Sequence, residues 1–195
     1  MGVPALKEWA TIVHALLAGE QIIDLRKGGL REDGRHFTLD HDRAWLYPTA
    51  EHQQGELLKP AYRGWIDLAA SSPVGMPIAL YGWAEVVAHA TISDAEHLDA
   101  LAGKVIWTEA YATSRLKWKS RDPLWVLVLR AHVLADPITV DWKESYGGCT
   151  SWVDLAGLPD DPSTLNARPA MSDVAFEGRW KGVRAALPDD LWVRR

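Results

Sequence analysis

The chain has 195 residues, a formal net charge of −5, 48% hydrophobic residues, 11 Trp and a single Cys. This composition excludes a disordered or fibrous chain, and one Cys excludes an intrachain disulfide or a cysteine-based metal cluster. The acidic balance excludes wholesale coating of nucleic acid, which needs positive potential, but leaves room for one basic face.

The length suits one domain over residues 1–195, with a core within about 1–156 and a loop and helix over 157–195. The N-terminus, MGVPALKEWATIVHALL, interrupts its apolar pattern with Lys7, Glu8 and His14. It therefore reads as neither a signal peptide nor a spanning segment, and a cytosolic protein without membrane contact is expected.

Leu6, Trp9, Ala10, Val13, Leu16 and Leu17 fall at helical spacing before Gly19, which predicts an amphipathic helix over 5–18. QIIDLRK, 21–27, is rich in aliphatic residues and runs into Gly28-Gly29, as a strand entering a loop would. HFTLDHDRAWLYP, 36–48, predicts two short extended pieces, the second closed by Pro48. The following stretch is broken by Pro60, Gly64, Pro73, Gly75 and Pro77 and reads as loop or short helix.

IALYGWAEVVAHATI, 78–92, predicts a long strand with Gly82 at a bulge or bend. Ser93 and Asp94 are caps for a short helix that Gly103 ends. PLWVLVLRAHVL, 123–134, is a near-continuous apolar run, the pattern of a strand buried on both faces. After a loop rich in Pro and Asp, DVAFEGRWKGVRAAL predicts a helix capped by Ser172, with Val174, Phe176, Trp180 and Val183 for docking. The whole pattern is that of an α+β fold whose sheet carries most of the core.

RLKWKSR, 115–121, alternates Arg115, Lys117, Lys119 and Arg121 with Leu116, Trp118 and Ser120. If extended, it sets four cations on one face about 6.6–6.8 Å apart, a row able to follow a phosphodiester backbone, with Trp118 as a stacking platform. The same pattern also suits a solvated edge strand, and in a helix the row disperses. LRKGGLRED brings Arg26, Lys27 and Arg31 around a double glycine, either an anion-binding turn or a solvated hairpin. It lacks the Walker and dinucleotide spacings, so no cofactor is expected.

LYPTAEHQ, 46–53, groups Thr49, Glu51, His52 and Gln53. Glu51 and His52, with Lys27 as electrostatic stabiliser, are the candidates for acid–base chemistry; the alternative is that these groups satisfy loop backbone or contact a base. Trp83, Trp107 and Trp125 lie in apolar runs and read as core, whereas Trp45 and Trp118 lie beside charges and are candidates for stacking. His36, Asp40, His41 and His52 have no ligand spacing, and no metal site is expected. Cys149, in YGGCTSW, has no basic partner in the sequence and reads as a small apolar residue.

ALKEWATIVHAL, LRKGG, LYPTAEHQ with LLKP after it, SRLKWK and YGGCTSW, in this order, resemble the family of unknown function numbered 1802 across nearly the whole chain. The resemblance implies a bacterial cytosolic protein and, through restriction-type nuclease domains found with some members, a role in handling DNA beside a nuclease partner. EWATIVHALLAGEQIIDLR, GWAEVV and PLWVLVLRAHVL are also similar to ASCH, EVE and other PUA-like domains. That likeness implies a small mixed β-barrel flanked by helices, with a cleft for RNA or modified bases, and carries over Arg26 alone. The Gly-x-Lys-Thr element of catalytic ASCH members is absent, since Gly19 is followed by Glu20, Gln21 and Ile22.

Three functions follow as expectations. The first is a nucleic-acid or modified-base binding module using Arg26, Lys27, Arg31, Trp45, Thr49, His52, Gln53, Arg115, Lys117, Trp118 and Lys119. The second is a nuclease or base-directed hydrolase. The third is an interaction domain whose cations dock an acidic protein.

Overall fold

The computed structural model describes residues 3–27, 39–68, 72–118, 122–148 and 150–195. The architecture is α+β, and the expected mixed barrel takes the form of a curled half-barrel. Its strands are β1 (Val3–Trp9), β2 (Ile23–Arg26), β3 (Arg43–Thr49), β4 (Ile78–Ile92), β5 (Leu124–Val140), β6 (Trp152–Leu155), β7 (Ala167–Pro169) and β8 (Trp192–Arg194). The helices are α1 (Ala10–Leu17), α2 (Trp65–Leu68), α3 (Ala95–Leu101), α4 (Glu109–Lys117) and α5 (Asp173–Arg184). Sheet order is β2-β5-β4-β3-β1-β6, with β7 added to β5 and β8 to β4. Only β1 and β3 run parallel among these pairs.

The first element differs from expectation. Residues 3–9 are a strand and only 10–17 are helical. β1 lies between β3 (Ala5↔Trp45) and β6 (Val3↔Leu155), and both its faces are covered, Leu6 by one core cluster and Val3 and Ala5 by the other, so apolar spacing alone does not separate such a strand from a buried helix. α1 then ends as the sequence predicts: Gly19 adopts φ +73°, the left-handed turn that glycine makes without a Cβ penalty. Nothing on α1 caps its own start; Gln53 Oε1 accepts from Thr11 N at 3.0 Å and Thr11 Oγ1 at 3.1 Å instead.

Alternation along β3 builds two cores. Ala44 and Leu46 join a larger cluster with α1, α4 and α5, while Trp45 and Tyr47 join a second with Val3, Ala5, Leu80 and Tyr146. The register of β4 on β5 shifts between Leu80 and Gly82. A Cβ on Gly82 would lie 2.2 Å from the His132 carbonyl oxygen and 2.4 Å from Leu17 Cδ2, so the sheet and α1 close together only over glycine. β5 runs past the predicted end to Val140 because the strands bulge where Pro137 needs no partner for a missing N–H. α5 is capped by Ser172, whose hydroxyl accepts from Ala175 N, and it docks through Phe176, Trp180 and Val183. Val174 faces solvent. No helix among the described residues is long and apolar enough to cross a membrane.

Candidate functional site

The parallel strands β1 and β3 end side by side, with the end of β2 facing them across the curl. A cavity of about 350 Å³ opens there. The strand ends contribute Lys7, Glu8, Arg26 and Thr49 to its lining, the loop after β3 contributes Glu51 and His52, and α4 closes the far side with Tyr111, Arg115 and Trp118. Thr150 and Ser151, leading into β6, complete the rim.

Successive residues of β1 point to opposite faces, which separates two charge systems. Lys7 is buried, and its ammonium donates to Glu51 Oε2 at 2.5 Å and to the carbonyls of Tyr146 and Gly148 at 3.0 Å each. Three acceptors use all three of its protons, so Lys7 ties both rim loops to β1. Glu8, on the other face, accepts from Trp9 N through Oε1 at 2.6 Å and meets Arg26 Nη2 through Oε2 at 3.2 Å.

Arg26 lies between two carboxylates: its Nε is 2.8 Å from Asp24 Oδ2, and its Nη2 also donates to the Lys7 carbonyl at 2.8 Å. This side chain therefore staples β2 to β1, strands that are not neighbours in the sheet. Glu8, Asp24 and Arg26 are all buried. Burial, with the nearby Glu8 carboxylate adding to it and Arg26 opposing it, raises the Asp24 carboxyl to about 7. Burial also pushes the Tyr111 phenol well above its ordinary value, with Glu8 acting in the same direction. Proximity to the Tyr111 hydroxyl, reinforced by Glu8 and opposed by burial, raises the Arg115 guanidinium above its ordinary value, and it rests 5.1 Å from the Tyr111 ring centroid.

RLKWKSR is not an extended row. Arg115 and Lys117 belong to the last turn of α4, whose start is capped by Thr108, and the backbone leaves the helix at Trp118. The period of two is thus spread around a helix axis, Arg115 turning into the cavity while Lys117 is exposed and outside its lining. Trp118 stands at the mouth, 49% exposed.

Of the other sequence candidates, Arg26, Thr49, Glu51 and His52 line the cavity with Arg115 and Trp118. Lys27 is buried and donates to the Leu116 carbonyl, away from the cavity lining. Trp45 has no exposed surface and sits in the second core cluster, where no base reaches it. Gln53 caps α1 as described. Arg31, Lys119 and Cys149 lie outside the described residues. His52 adopts φ +60°, a left-handed backbone that costs a residue with a Cβ and that clusters at functional sites.

The convergence is therefore of a different kind from a polyanion groove. Around the cavity Lys7 faces Glu51, and Arg26 faces Glu8 and Asp24, so the cations are largely compensated. Sequence reasoning missed Lys7, Glu8 and Tyr111. The first two carried a signal, because a Lys-Glu pair inside an apolar run needs a reason. Tyr111, in a stretch without periodicity, carried none.

No curated protein matches the chain in sequence. Among solved structures it is similar to crystal structures of ASCH from Zymomonas mobilis. A serine-to-alanine mutant of that protein has a TM-score of 0.48 and 14% identity, covering 80% of this chain and 89% of that one. For the unmutated protein the TM-score is 0.40 and the identity 16%, with the same coverage of 80% and 89%. A tyrosine-to-phenylalanine mutant gives a TM-score of 0.41 and 11% identity, over 93% and 98% of the two chains. By its match over residues 5–182, the chain belongs to the family of the domain of unknown function DUF1802.

Proposed function

We propose that the protein binds nucleic acid through a single nucleotide unit, whose base enters the cavity between α4 and the ends of β1, β2 and β3. The observation that carries this reading is the joint lining of one cavity of about 350 Å³ by Arg26, Thr49, His52, Arg115 and Trp118, drawn from segments far apart in sequence. That volume lies within the range of small-ligand sites, roughly 300–1,000 Å³. An exposed indole at the mouth suits a flanking base, at about 1–3 kcal/mol if it stacks. Compensated charge inside suits a polar heterocycle better than a run of phosphates, so binding should depend weakly on salt. One or two phosphate contacts give a slope of log K against log salt of about −1.

The test is a competition series in which labelled single-stranded RNA, single-stranded DNA and duplex are displaced by free nucleoside 5′-monophosphates. Displacement by a monophosphate, weakened by Trp118→Ala for the oligonucleotide, is the expected result. A steep salt slope with no displacement by any monophosphate would sink the single-unit reading. A finer version, a reader of modified DNA bases acting beside a restriction-type nuclease, is tested by including duplex that carries modified bases. Turnover of any probe in the same series would turn the reading toward a base-directed hydrolase.

A further inference from the structure

Tyr111 is 1% exposed, lines the cavity, and its hydroxyl makes no well-aligned hydrogen bond among the described residues, the nearby Arg115 guanidinium approaching it off the favoured direction. A buried hydroxyl left in that condition costs free energy, and native structures rarely keep one without a reason. Its ring is fixed from two sides, by Trp9 at 5.1 Å and Trp107 at 5.3 Å between centroids, and the Arg115 guanidinium lies over it. The hydroxyl therefore does not swing away to find water. Beside it, Glu8 is 2% exposed and also lines the cavity; its Oε2 meets Arg26 in an ion pair and accepts no aligned hydrogen bond, with the Asp24 carboxyl another polar neighbour.

Other buried polar atoms also lack partners, among them the indole nitrogens of Trp45 and Trp83. Those two belong to the second core cluster and line no part of this cavity. Tyr111 and Glu8 differ in facing a space that a ligand can enter. The phenol, kept neutral, is a donor; the carboxylate is an acceptor.

We infer that Tyr111 and Glu8 form a base-reading subsite, taking a nucleobase edge that offers an acceptor to the Tyr111 hydroxyl and an N–H to Glu8 Oε2. The inference rests on the single-nucleotide reading above and deepens it by naming the part of the ligand that is read. Arg115 reinforces the donor side. A ligand with phosphate and sugar but no base leaves both groups unsatisfied and gains nothing from them.

Calorimetric titration of wild type and Tyr111→Phe with the four ribonucleoside 5′-monophosphates and with ribose 5-phosphate tests it. Phenylalanine keeps the ring packing and removes only the hydroxyl. Wild type is expected to bind at least one nucleotide more tightly than ribose 5-phosphate, and Tyr111→Phe to lose about tenfold for that nucleotide and nothing for ribose 5-phosphate. Without ligand, the variant is expected to melt at a higher temperature than wild type, because the hydroxyl it lacks was unsatisfied. A hydroxyl with a purely structural role predicts the opposite shift. Unchanged nucleotide affinity in Tyr111→Phe, or a lower melting temperature of the free variant, overturns the subsite and leaves the single-nucleotide reading standing. Failure of every monophosphate to bind wild type overturns both.

Discussion

Charged residues pair in two regions of this protein, and the two have little else in common. On the outer surface Arg43 joins Glu85 and Asp161, Arg130 joins Asp173, and Arg195 joins Asp42, all with at least one partner well exposed to solvent. At the cavity, Arg26 and its partners Glu8 and Asp24 have side-chain exposures of 5%, 2% and 0%. Surface pairs gain little because water competes for both charges. Buried ones lose more solvation than their attraction easily returns, and an apolar replacement of the same shape is often as stable. Stability alone therefore does not explain why β1 and β2 carry charges where a sheet could be apolar. Under the reading proposed above, the cavity wall serves recognition and the fold bears its cost.

Cutting the central cation is the harshest way to break this comparison. Arg26→Met leaves Glu8 and Asp24 buried without a counter-charge and unfastens β2 from β1. A loss of about 3–5 kcal/mol is expected from urea denaturation. A loss within the range of surface pairs, below about 1 kcal/mol, would place the two regions in one class. Lys7→Met is milder: Glu51 is 28% exposed and can rehydrate, while the Tyr146 and Gly148 carbonyls lose their donor. About 2 kcal/mol is expected in the same assay, with weaker nucleotide binding as the rim loops come free.

Acidity sharpens the contrast further. With its folded-state value raised to about 7 from 3.8, Asp24 holds a proton in the folded protein over a window in which the unfolded chain has lost it. Its contribution to stability is full below about 4 and disappears as pH rises through about 7. Melting temperatures taken at steps from pH 5 to 8 should fall across this window, and Asp24→Asn, which cannot ionise, should flatten that part of the profile. A wild-type profile that does not fall between pH 5 and 7 and is unaltered by Asp24→Asn would show that Asp24 titrates in the usual carboxylate range.

Much of this fold was legible in the chain because its largest elements announce themselves. β4 and most of β5 are long apolar runs, Gly82 marks the register shift within β4, and Ser172 and Gly19 stand where their helices begin and end. β1 was not legible, because a strand covered on both faces has no alternation to read. That one error hid the site: a helix over 5–18 would have turned Lys7 and Glu8 toward solvent, where charges need no account. Arg26 and the loop at 49–52 were found because polar groups crowded beside glycine or proline attract notice. Arg115 and Trp118 were found for the wrong geometrical reason, since alternation in sequence became a spread around α4. Trp45 was misplaced by its neighbours: Arg43 shares its face but lies exposed at the start of β3, whereas Trp45, two residues further in, is covered by the second core.

The smallest effect belongs to the outer surface. Arg43→Gln removes a guanidinium that reaches Glu85 at 3.2 Å and Asp161 at 3.0 Å, both in solvent. Three linked charges look like a strong feature, yet water reaches each of them and the arginine loses side-chain entropy in holding its place. The denaturation midpoint should shift far less than for Lys7→Met, and at 1 M salt, where screening acts over about 3 Å, the shift should vanish. The Arg26→Met loss should survive the same salt, because ions do not enter the wall between β1 and β2. If the two variants instead respond to salt alike, water and ions reach Glu8 and Asp24, and the buried pair is only another surface pair seen from inside the curl.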